Sequence, residues 1–61
     1  MSNKLTKKEA GLIADLLTYE EQATKKARLY SRTAIDKGLA ETFTAIADNH
    51  QKRFNELLNL L

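Results

Sequence analysis

Apolar residues recur at three- and four-residue intervals along two stretches of this chain. Each stretch is broken once, by a polar residue in the middle of its apolar face. The first runs Ile13, Leu16, Leu17, Glu20, Ala23, Ala27, Tyr30 and Ala34. The second runs Leu39, Phe43, Ile46, Ala47, His50, Phe54, Leu57, Leu58 and Leu61. At about 100° per residue, these spacings place one apolar stripe on each of two α-helices. Glu20 and His50 are the two interruptions.

Local chemistry marks where the helices begin. Thr6-Lys7-Lys8-Glu9 has the form of a capping box, with Leu5 and Ala10 spaced as a hydrophobic staple. Asp36 is a good N-cap for the second helix, and Gly38 falls within its first turn. The pattern predicts helix 1 over about 7–34, a turn at about 35–37 and helix 2 over about 37–60. Lys7 and Lys8 oppose the helix dipole at the start of the first helix. Residues 1–4 are expected to be disordered. So short a linker makes the helices antiparallel neighbours.

Folding the pattern about this turn sets Tyr30 and Ala27 against Phe43 and Ile46. It sets Leu16 and Leu17 against Phe54, and Leu12 and Ile13 against Leu57 and Leu58. Small residues of helix 1 then face large ones of helix 2 near the turn. A lone hairpin leaves one side of these faces wet. Two hairpins stacked face to face close the core. The expected architecture is therefore all-α, an antiparallel two-helix hairpin that forms a twofold homodimer and thereby a four-helix bundle.

Size supports self-association. A chain of 61 residues is one domain and marginal alone. It has no cysteine, so disulfides and thiolate metal sites are excluded. Partner helices, with or without a metal, remain as the means of stabilisation. Ten Lys and Arg against eight Asp and Glu leave a net charge of +2. That small excess argues against nucleic acid as a partner. No apolar run approaches the ~20 residues of a membrane span, and the N-terminus lacks a signal-peptide core. These features suggest a soluble, cytoplasmic protein with no membrane partner.

Glu20 and His50 fall at nearly the same height on the two facing helices, within about one residue rise. A carboxylate buried without a partner costs several kcal/mol or titrates to neutrality. Two arrangements satisfy it. One is a buried Glu20–His50–Arg53 polar network that fixes register and pairing, with Arg53 reaching in from the rim. The other is a metal site at the bundle centre, with Glu20 and His50 of two chains holding Zn or Fe. Arg53 opposes a divalent ion, and no second histidine lies within helical reach of His50. The remaining charges read as a solvated surface. Glu21 and Lys25 form an i,i+4 pair. Lys25, Lys26, Arg28 and Arg32 form a basic stripe whose functional alternative is nucleic-acid contact. There is no glycine-rich phosphate loop and no nucleophile–base pair, so the chain does not read as an enzyme.

The stretch Phe43-Thr44-Ala45-Ile46-Ala47-Asp48-Asn49-His50-Gln51-Lys52-Arg53-Phe54 resembles the Phe-x-x-Ile-Ala-x-x-Glu-x-x-His run of the ferritin-like superfamily. Glu20 matches that superfamily's first-helix carboxylate. His50 stands at the Glu position and Arg53 at the His position, so ferroxidase or peroxidase chemistry is not implied. A closer resemblance is to the short helical hairpins of the spore coat protein F family of spore-forming Firmicutes. It covers roughly Leu5 to Leu61. It rests on Leu5-Thr6-Lys7-Lys8-Glu9, Asp15-Leu16-Leu17, Glu20-Glu21, Lys25-Lys26 and Tyr30. It continues through Asp36-x-x-Leu39-x-x-x-Phe43, Ile46-Ala47-x-x-His50-Gln51 and Phe54-Asn55-x-Leu57-Leu58. The family pattern often has an aromatic at the position of Ala27 and a proline at that of Lys37. The resemblance implies a ferritin-like four-helix bundle of non-enzymatic, structural character. It also implies location in a spore coat and contact with other coat proteins.

Overall fold

In a computed structural model, which describes residues 4–61, the chain is an antiparallel pair of helices. Helix α1 spans Lys7–Thr33 and helix α2 spans Lys37–Leu58. The expectation for residues 1–4 falls, at Met1, Ser2 and Asn3, outside the described residues. Both helix starts follow their local chemistry. Thr6 Oγ1 accepts from the Glu9 amide at 3.0 Å, and the Thr6 amide donates to Glu9 Oε1 at 3.0 Å. Asp36 Oδ1 accepts from the Leu39 amide at 2.7 Å. A Cβ on Gly38 would stand 3.3 Å from that same oxygen, so glycine here leaves room for the cap.

The ends differ slightly from the pattern. Helix α1 stops at Thr33, because Ala34 turns to an extended conformation while its amide still donates to the Tyr30 carbonyl. Helix α2 ends at Leu58, with Asn59 as its C-cap. No helix among the described residues is long and apolar enough to cross a membrane.

The hairpin is 46 Å long, 15 Å wide and 9 Å deep, a single layer of two helices. Only Ile13, Ala27 and Ala47 are buried among the apolar residues described, and two of these are alanines. Tyr30 packs on Phe43 with ring centroids 5.6 Å apart, as the antiparallel pairing requires. Leu12, Leu16, Tyr30, Leu39, Ile46 and Leu58, all assigned to the core by periodicity, stay well exposed. The two helices cover only the inner edge of each stripe.

Candidate functional site

Glu20 lies near the middle of α1 and is 6% exposed. Its backbone carbonyl accepts from the buried Thr24 hydroxyl at 2.7 Å, a bond to the preceding helical turn. Its carboxylate faces α2. Oε1 lies 2.6 Å from His50 Nδ1, and Oε2 accepts from Arg53 Nε at 3.1 Å. The structure therefore brings together all three residues of the expected polar network, across 30 to 33 residues of sequence. No buried side-chain nitrogen or oxygen among the described residues lacks a partner.

The contacts fix the proton on the imidazole. The hydrogen bond from His50 holds the Glu20 carboxyl below its ordinary range, aided by the hydrogen bond and charge of Arg53. Burial acts in the opposite direction and is outweighed. An ionised carboxylate only accepts, so Nδ1 must carry the proton it donates to Oε1. Arg53 Nη2 stands 2.9 Å from the same Nδ1. With the Nδ1 proton directed at Glu20, that approach is donor to donor. The guanidinium is held there by its Nε bond to Glu20. In the neutral ring this leaves the lone pair on Nε2. Tyr19 meets the imidazole edge-on, with ring centroids 6.2 Å apart and planes at 79°.

Within one chain these side chains leave one open ligand position, the His50 Nε2 lone pair. Both Glu20 oxygens are engaged, and a guanidinium stands at the carboxylate. Among the described residues no group of three or more His, Cys, Asp or Glu side chains converges. The arrangement neutralises a carboxylate and pins two helices at one height.

The hairpin has two unlike broad faces. One carries a shallow groove lined by Ala23, Lys26, Ala27, Tyr30, Phe43, Ile46 and His50. On the same face, a second groove is lined by Leu16, Glu20, Arg53, Glu56, Leu57 and Leu60. The polar cluster sits between these two apolar stretches. The opposite face is lined by Glu21, Thr24, Lys25, Gln51 and Phe54. It bears two ion pairs, Lys25–Glu21 at 3.6 Å and Arg28–Asp48 at 3.0 Å.

The Arg28–Asp48 pair is a contact not foreseen from the sequence: both side chains lie on the solvated side, 38% and 63% exposed, yet the pair ties α1 to α2. With Arg28 paired to Asp48 and Lys25 to Glu21, the basic stripe is partly neutralised. Thr24 and Tyr19 were also missed. Thr24 lies about 40° from Glu20 around the helix, an angle that marks it as inward-facing. Tyr19 lies about 100° away and reaches His50 only through the length of its ring.

Comparison with protein-family models, with curated proteins and with solved structures finds no match to this chain.

Proposed function

We propose that this chain is a non-catalytic, self-associating structural module, one half of a four-helix bundle that a second copy completes. The observation that carries this reading is the core. A hairpin whose buried apolar residues are one isoleucine and two alanines has too little apolar burial to repay the entropy of ordering two long helices. The missing burial is present on one face. Leu12, Leu16 and Leu60 lie toward the open end, and Tyr30, Leu39 and Ile46 lie toward the turn. These six are 39–55% exposed. Contiguous apolar surface of this kind marks an interface. A face of 46 by 15 Å offers about 700 Å², close to the ~800 Å² per partner of stable interfaces.

In this role the Glu20–His50–Arg53 cluster supplies specificity rather than chemistry. A polar group inside an apolar seam penalises every register that strands it. The resemblance to spore coat protein F supports a structural setting, a spore coat or a related protein layer with other coat proteins as neighbours. Sedimentation velocity across a range of concentrations tests the self-association. The expected species has twice the 6.9 kDa chain mass. A folded, monodisperse monomer at micromolar concentration overturns the proposal.

A further inference from the structure

A twofold dimer through this face has two possible stackings. Its axis lies in the interface and runs either along the helices or across them. With the axis along the helices, both turns lie at the same end and α1 packs on α2 of the second copy. With the axis across them, the turns lie at opposite ends, α1 packs on α1 and α2 packs on α2. The apolar residues do not choose between these. Leu12 and Leu60 lie about 12–15 Å from the Glu20–His50 level on one side, and Tyr30 and Leu39 about 15–17 Å from it on the other. Either axis therefore lays apolar surface on apolar surface.

The charges on the edges of the face do choose. Asp15 and Lys26 are eleven residues apart, which brings them to within about 20° of each other around α1. Both lie on the outer edge of the apolar face, and neither is ion-paired among the described residues. Their midpoint falls at residues 20–21, the level at which Glu20 meets His50. An axis across the helices at that level places Asp15 of each copy within about 2 Å in height of Lys26 of the other, twice per dimer. On the outer edge of α2, the same operation sets Glu56 near Ala45 and Lys52 near Asn49, all without like-charge contact. An axis along the helices instead sets Asp15 within about 2 Å in height of Glu56 of the second copy, again twice. Like charges so placed are repulsive, and Lys52, one turn before Glu56, offsets this only in part because it stands about 4–5 Å in height from Asp15; no reciprocal pair forms.

We infer that the second copy docks with its turn at the opposite end, and that reciprocal Asp15–Lys26 pairs at the rim select this stacking. The inference rests on the self-association proposed above. Its test is a charge swap read by the dimer dissociation constant, with circular dichroism confirming that each variant is helical. Asp15→Lys and Lys26→Asp are each expected to weaken the dimer by a factor of about 3 to 30. The doubly swapped chain should regain most of that loss, and high salt should shrink all three differences.

Two results overturn the stacking while leaving self-association intact. One is a tighter dimer for Asp15→Lys, as expected if Asp15 faces Glu56. The other is no response to either single change. An unmodified chain that stays monomeric overturns the inference and the underlying reading together.

Discussion

Glu20 stays ionised against its own burial because two N–H donors reach it, His50 at 2.6 Å and Arg53 at 3.1 Å. Its folded-state pKa is lowered from an ordinary value of 4.5, so around that pH the unfolded chain binds more protons than the folded one. The stabilisation is therefore complete above about pH 5 and is lost as pH falls through the depressed folded value. Urea unfolding at fixed protein concentration checks this. The stability gap between the native chain and Glu20→Gln should be widest near neutrality and should narrow on acidification. A gap that stays constant down to pH 3 would contradict it. The two donors are not equivalent. The His50 side chain is 16% exposed and that of Arg53 is 50% exposed. His50→Ala should cost about 1.5–3 kcal/mol, the worth of a hydrogen bond to a charged group. Arg53→Ala should cost less, because water replaces an exposed guanidinium more easily.

At the scale of the helices, two contacts hold the corner and the crossing. Asp36 caps α2 through the Leu39 amide, and Asp36→Ala should lower stability by about 1 kcal/mol. Thermal unfolding followed at 222 nm measures it. Gly38→Ala would gain helix propensity but crowd Asp36 Oδ1 at 3.3 Å, so its benefit should be larger in the Asp36→Ala background. Arg28 and Asp48 join the helices at 3.0 Å on the solvated face. A double-mutant cycle to alanine should give a coupling of about 0.2–1 kcal/mol that fades with added salt.

The caps, the antiparallel pairing and the shared height of Glu20 and His50 were legible in the sequence. Each follows from short-range periodicity or a fixed capping motif. Arg28–Asp48 was not legible, because Arg28 lies about 80° from Glu20 and Asp48 about 160° from His50, well off the centres of both stripes. There, long side chains decide contacts that helical angle leaves open. The exposure of Leu16, Leu39 and Ile46 was foreseen in kind, since a lone hairpin leaves one side of each stripe wet, but not residue by residue. Periodicity marks which face is apolar, and not which edge of it the neighbouring helix covers.

At the scale of the whole molecule, one 9 Å layer of helices cannot bury a stripe on both flanks of its contact line. If a second copy covers the apolar face, folding and association are one process. The unfolding midpoint must then rise with protein concentration. Two leucines of α1 separate this from a general effect of surface hydrophobicity. Leu16 and Leu29 are each 49% exposed. Leu16 borders the groove that holds Glu20, Arg53 and Leu57, whereas Leu29 lies about 180° from Glu20 around the helix. Replacing either with glutamate removes the same side chain from the same degree of exposure. Leu16→Glu should dissociate the dimer and melt much of its helix at concentrations where the native chain is folded. Leu29→Glu should leave mass, helicity and the concentration dependence of melting unchanged, within about 0.5 kcal/mol. Equal losses from both variants would mean that general surface hydrophobicity, and not one covered face, holds the assembly together. Indifference to both would mean that the hairpin folds without a partner.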